Sequence, residues 1–134
     1  MTNIDVEMNT TAEDPCAPNI SAAGRRRRRR FGLQWAGISV AATGAGLIFQ
    51  APWTARAAVF FPAAISAIGY LQASRNTCVL RAREGTLEHD DFTTEPAPAV
   101  EVGASRRVAR SIYRDAVLVG VAAAAIAAAT ALIR

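Results

Sequence analysis

Three stretches of this 134-residue sequence carry side chains whose type and spacing could do chemistry. Cys78 stands between Arg75 and Arg81, and positive charge on both sides of a thiol favours the thiolate, which makes it the candidate reactive cysteine. Cys16 is far away and no histidine flanks either one, so neither a redox pair nor a nucleophile with its base can be assembled. The competing reading of Cys78 is a small apolar residue at a helix end. His89 lies in Glu88-His89-Asp90-Asp91, which offers nitrogen and oxygen donors without the paired or helical spacing of a metal site; a solvated acidic loop and no metal are expected there. Arg25, Arg26, Arg27, Arg28, Arg29 and Arg30 form an unbroken cationic run able to neutralise phosphates, whether of nucleic acid or of lipid. No glycine-rich phosphate loop, catalytic carboxylate pair or nucleophile elbow occurs, so no enzyme activity and no cofactor are expected.

The elements that position these residues are set by composition. The chain is 51% hydrophobic and 19% charged, with 30 alanines, 15 arginines and no lysine, a bias of the kind that GC-rich bacterial coding produces. Its length has room for one small domain, which excludes a multidomain enzyme, and its two cysteines are too few for a disulfide-stapled secreted scaffold. The apolar residues gather into three runs instead of amphipathic stripes, the signature of membrane spans. The first, Phe31 to Phe49, has no charge and as a helix would measure ~28 Å, against a hydrocarbon thickness of ~30 Å. A hairpin turn through Pro52 and Trp53 leads to the second, Ala57 to Ala73, where Pro62 should kink or restart the helix. Arg75 to Glu84 is expected to prolong that helix, with Gly85 as its stop.

Residues 1–30 are expected to be a disordered tail ending in the arginine run, and the acidic, proline-containing stretch 86–104 a mobile linker. Ser105 is the expected N-cap of a basic helix that runs into the third span, Ala116 to Ile133. Nine alanines make that span weak: its seven clearly apolar side chains favour insertion by only about 2 to 4 kcal/mol in sum. A soluble alanine-rich helix is the alternative. The expected class is therefore all-α and integral to the membrane: a transmembrane hairpin over 31–85, the acidic linker, then a juxtamembrane helix and third span over 105–134.

Arginine placement gives the orientation. Six precede the first span and seven lie between residues 74 and 115, against Arg56 in the hairpin turn and Arg134 at the end. The positive-inside rule then places the N-terminus and the 74–115 segment in the cytoplasm of a bacterium with an inner membrane, and Trp35, Tyr70, Tyr113 and Trp53 at headgroup level. Arg106, Arg110 and Arg114, spaced by four, are expected to lie against anionic headgroups beside Val108 and Ile112. Nucleic acid is a poor partner for the arginines, because no aromatic platform or recognition motif accompanies them. Arg28-Arg29-Arg30-Phe31-Gly32-Leu33 is also similar to a twin-arginine export pattern, which leaves an exported precursor as an alternative, although Arg56 spoils the cleavage-like Ala55-Arg56-Ala57. Gly37, Ala41 and Ala45 recur every four residues, as do Ala63 with Ala67 and Gly69 with Ala73. Such spacing suits close packing within the hairpin or, alternatively, contact with a second copy or another membrane protein.

The order of arginines, a glycine-containing span, a Pro-Trp turn, a second span, Gly69-Tyr70-Leu71-Gln72 and then Cys78 resembles the small inner-membrane hairpin domain beside rhodanese modules in YgaP-like bacterial proteins, over about residues 30–85. Val79 stands where that family usually has proline after the cysteine, and this chain adds a third span and has no rhodanese module. The resemblance implies a two-helix membrane domain and a sulfur-handling context for Cys78. The expectation is a small accessory or interaction protein of the membrane, with a thiol protein acting through Cys78 as the alternative.

Overall fold

The computed structural model describes residues 18–133. The acidic part of the tail, with Cys16, and the terminal Arg134 lie outside the described residues. Helix α1 spans Ala22–Ile48, ~40 Å long, and starts before the arginines. Ser21 caps it by accepting the Gly24 N–H at 3.0 Å, and Asp90 accepts that of Ala23 at 3.3 Å. Arg25 to Arg30 thus belong to a helix and not to a disordered tail, a correction to the sequence reading. Two of them are tied to other elements, Arg28 by Glu88 and Gln72 and Arg25 by the Asn76 side-chain amide.

A turn at Phe49–Pro52 leads to the short helix α2, Trp53–Ala57, and the chain restarts as α3, Phe60–Ser74. Pro62 falls in the first turn of α3, where its missing N–H would have had no helical partner, as expected. Unlike the expectation, α3 stops at Ser74. Asn76 takes a positive φ of 51°, and a separate helix α4, Val79–Glu84, follows. Gly85 ends it in the left-handed conformation, φ 71°, its N–H donating to the Arg81 carbonyl at 2.8 Å.

The acidic stretch is the larger departure. Strands β1, Thr86–Glu88, and β2, Thr94–Pro96, pair antiparallel with Leu87 opposite Glu95, and the intervening turn is held by the Thr93 N–H and hydroxyl donating to Asp91 Oδ1 at 3.0 and 2.6 Å. Residues 86–104 are therefore no linker, and the fold is helical with one two-stranded sheet instead of all-α. Helix α5 then runs unbroken over Ala99–Ala129, ~46 Å. Its N-cap is Pro98, and Ser105 is buried within it instead of capping it.

Helix α3 packs against both α1 and α5, which have little contact with each other. At the arginine-rich end, α4, β1, β2 and the first half of α5 form a headpiece around a small core of Val79, Ala82, Ala109 and Ile112, flanked by Leu71 and Val108. Ile112 is fully buried there, so it is not the lipid-facing neighbour of Arg106, Arg110 and Arg114 that the sequence reading made it. Beyond the headpiece the helices expose large apolar side chains, among them Leu33, Ile38, Val40, Leu118, Val121 and Ile126. Three helical segments, Ala22–Ile48, Trp53–Ser74 and Ala99–Ala129, are long and apolar enough to cross a membrane.

The hairpin is closed by glycine: on α3 the expected Gly69 makes the contact, but its partner on α1 is Gly32 and not the stripe Gly37, Ala41 and Ala45. A Cβ on Gly32 would sit 2.8 Å from the Tyr70 nitrogen and 3.0 Å from the Ser66 carbonyl oxygen, and one on Gly69 would sit 2.9 Å from the Gly32 nitrogen. The Ser66 hydroxyl donates to the Gly32 carbonyl at 2.8 Å across this contact. Gly37, Ala41 and Ala45 instead face outward, and nothing lies within 4 Å of a Cβ built on Gly37. Gly69→Val should therefore lower the stability of the purified protein by about 1 to 3 kcal/mol in thermal unfolding, because backbone cannot yield as a side chain does. Gly37→Ala should be neutral or stabilising by up to ~1 kcal/mol; the reverse ranking would mean that the hairpin packs on the other stripe.

Candidate functional site

The polar side chains converge in the headpiece, where α1, the α3–α4 turn and β1 meet. One turn before Gly32, Arg28 is aimed at α3 and β1 by the same close approach. Its Nη1 and Nη2 donate to Glu88 Oε1 and Oε2 at 3.2 Å each, and its Nε to Gln72 Oε1 at 3.1 Å. Arg81 adds a second cation 3.6 Å from Glu88, whose side chain is 4% exposed. A paired fork of this kind is directional, so it fixes β1 against α1 as well as neutralising it. Burial pushes the Glu88 carboxyl up, but the bond and charge of Arg28, with those of Arg81, outweigh it and hold the carboxyl below its ordinary value of 4.5.

Asn19 ties the same region together from the other side. It is buried, its amide donates to the Cys78 carbonyl at 3.1 Å, and its Oδ1 accepts the Cys78 N–H at 2.6 Å. Its own N–H goes to the Asn76 carbonyl and its carbonyl accepts from Glu88, both at 3.1 Å. Cys78 is thereby enclosed at 6% exposure, which corrects the expectation of an accessible thiol beside Arg75 and Arg81. Arg75 turns away to α5, donating to Ser111 Oγ at 2.7 Å and Asp115 Oδ2 at 2.5 Å.

The remaining expected sites are dispersed. Arg106 donates to the Ala82 and Arg83 carbonyls at 3.4 and 3.3 Å, closing the end of α4, while Arg114 pairs with Asp115 at 2.9 Å and Arg110 is exposed. Arg27 lies 5.9 Å over the Phe92 ring, a cation–π contact at the rim of the β-turn. Arg25, Arg26 and Arg29 face a pocket beside Tyr70, and Arg30 is exposed. His89 approaches Glu95 at 3.3 Å on the surface, and among the described residues no group of three or more His, Cys, Asp or Glu is placed to hold a metal.

Two residues have structural roles that the sequence reading did not give them. Asn19 lay in the expected tail, where the cap-type residues of Asn19-Ile20-Ser21 were the available signal. Arg56, at the opposite end of the molecule, is buried at 6% exposure, with Nε donating to the Ala51 carbonyl and Nη1 to Thr130 Oγ1, both at 2.8 Å. It ties the α1–α2 turn to the end of α5.

The chain matches no protein-family model, no curated protein and no solved structure in the comparisons made. The site therefore stands on its own geometry, which is that of a structural lock: a paired carboxylate, a buried asparagine and a covered thiol.

Linkage gives the lock a pH signature. Because the Glu88 carboxyl is lowered on folding, its contribution is fully present above the unfolded value of 4.5 and is lost as pH falls through the native value. The unfolding temperature should hold between pH 7 and 5 and drop below about pH 4.5, and Glu88→Gln should cost about 3 kcal/mol at pH 7 by stranding Arg28 while flattening that acid limb. An unchanged acid limb in the variant would assign the drop to other carboxylates. For Cys78, alkylation of the folded protein should be slow and should accelerate at least about tenfold on denaturation, since a closed site reacts only through opening; rapid modification without unfolding would restore the exposed-thiol reading.

Proposed function

We propose that this chain is a small, non-enzymatic, multi-pass protein of a bacterial inner membrane, an accessory or interaction component whose headpiece faces the cytoplasm. The observation that carries the reading is the segregation of polarity along the helix axes. Buried core and ion pairs are concentrated at one end, and from there three long helices continue with their large side chains exposed. A soluble protein would bury such surface, whereas in hydrocarbon the exposure costs nothing.

Orientation rests on the arginines. Six lie in the first turns of α1 and seven in the segment that forms the headpiece, so thirteen stand at one end, with Arg56 at the other. Arg56 is also covered by the Ala51 carbonyl and Thr130, which lowers the cost of carrying it across. The Arg56–Thr130 bond puts the α1–α2 turn and the end of α5 on the same side, as three spans with a cytoplasmic headpiece require. The likeness to the YgaP-like hairpin domain supports the two-helix part of this reading. Enclosure of Cys78 tells against the thiol alternative.

The test combines extraction with topology. The protein should stay with membranes through alkaline carbonate washing, a reporter after Arg134 should behave as extracytoplasmic, and one inserted at the Asp91–Phe92 turn should behave as cytoplasmic. A cytoplasmic reporter at both positions would remove the third span and leave α5 lying at the surface, and release by carbonate would remove the membrane reading altogether.

A further inference from the structure

On one side of the α1–α3 hairpin a groove runs from the arginine run toward the far end of the helices. At its head is an open pocket of about 340 Å³ whose walls include Arg25, Arg26 and Arg29 on α1 and Tyr70 and Ser74 on α3, with no carboxylate among its lining residues. Asn76 holds Arg25 in place by accepting from its Nη1 at 2.9 Å. The guanidinium groups of Arg26 and Arg29 have no hydrogen bond or ion pair within the described residues. The headpiece thus satisfies Arg28 internally, while among the described residues Arg25, Arg26 and Arg29 on the adjacent face meet no carboxylate.

Tyr70 also borders the next cavity along the groove, of about 470 Å³, which lies between α1 and α5 with α3 as its floor. Ala36, Val40, Ala67 and Val119 give it an apolar wall. Apart from Tyr70, which it shares with the arginine pocket, its few polar groups are already engaged inside the protein: Ser39 donates to the Trp35 carbonyl, Ser66 to the Gly32 carbonyl, and Asp115 accepts from Arg75 and Arg114. An occupant is therefore offered cations at one end and hydrocarbon surface below, with no hydrogen-bonding demand between. From Arg29 to Val40 is eleven residues of helix, ~16 Å along the axis, close to the depth of one leaflet of a ~30 Å hydrocarbon core.

We propose that this groove seats one anionic phospholipid of the cytoplasmic leaflet, its phosphodiester among Arg25, Arg26 and Arg29 and one acyl chain laid along Ala36, Val40 and Ala67. The inference rests on the membrane reading above and adds a discrete, stoichiometric site to it. A helix from a second copy would fill the apolar part and leave the three guanidinium groups unmatched, and a free phosphate would leave the apolar part empty. A phospholipid satisfies both with one molecule, and each guanidinium is the group best suited to a phosphate's paired oxygens.

The test uses the full-length protein in phosphatidylcholine bilayers containing a minority of phosphatidylglycerol, released gently and weighed by native mass spectrometry with its retained lipid. The parent protein should keep one phosphatidylglycerol. Joint replacement Arg25→Gln, Arg26→Gln and Arg29→Gln should reduce its retention at least about tenfold, whereas the charge-matched Arg27→Gln, Arg30→Gln and Arg107→Gln should not. Val40→Trp, at an exposed position on the groove wall, should also expel the lipid while leaving thermal unfolding unchanged. Equal loss from both triple variants would show diffuse attraction and no site. Retention unaffected by Val40→Trp, displacement by inorganic phosphate as readily as by short-chain phosphatidylglycerol, or a lipid-free dimer that Val40→Trp breaks would each overturn the proposal in favour of surface lipid, free phosphate or a second copy. All variants are first checked for carbonate-resistant membrane association, so that failure of the membrane reading is seen separately.

Discussion

Between Gly32 and Gly69 the backbones of α1 and α3 approach more closely than any pair of side chains would permit, with Cβ positions on either glycine falling about 3 Å from the other helix's main chain. The contact sets the rotation and axial register of one helix on the other. One turn up, Arg28 is carried onto Gln72 and Glu88. Arg25, Arg26 and Arg29 are turned to one flank, and Arg27 with Phe31 to the other. Helix α3 packs against both α1 and α5, and the groove lies between those two helices. Small residues are the means by which helices gain packing energy where solvent gives no hydrophobic drive between them.

The headpiece solves a different problem, that of folding a polar segment with little apolar material. Its core is four small or medium side chains, and around them directional bonds do what bulk burial does elsewhere. Asn19 reaches the α3–α4 turn and β1 through both its side chain and its main chain, and Glu88 receives both oxygens' worth of donors from Arg28. Burying these groups is costly, and removing one partner is costlier still. What the arrangement supplies is a unique placement of a three-residue strand beside a helix that is crowded with positive charge.

Local signals were legible in the sequence and long-range ones were not. The left-handed stop at Gly85, the restart around Pro62 and the extents of the apolar runs follow from residue type and a few neighbours. The β-hairpin was hidden because Glu88, Asp90, Asp91 and Glu95 read as solvated charge until Arg28, some sixty positions away, is brought to meet one of them. Cys78 is covered by Asn19 across a similar separation, and no spacing rule anticipates that. The stripe Gly37-Ala41-Ala45 illustrates the limit of periodicity: in an alanine-rich helix several faces are small, and only the partner's Gly69 selects Gly32. That the helices are apolar enough for a membrane was readable from composition alone, as was the excess of arginine at one end.

Helix α5 is held at two places that belong to different parts of the molecule. Near its middle Asp115 is gripped by Arg75, and at its end Thr130 accepts from Arg56, which is anchored to the α1–α2 turn. Between these points the helix is largely alanine with Gly120 fitted against Phe60, a stretch with almost no side-chain identity of its own. A single inserted or deleted residue there would turn one anchor by ~100° relative to the other and shift it by ~1.5 Å, so both could not engage at once. The outward-facing residues of this stretch can be exchanged for other apolar ones without disturbing either anchor, while its count of residues works as a ruler.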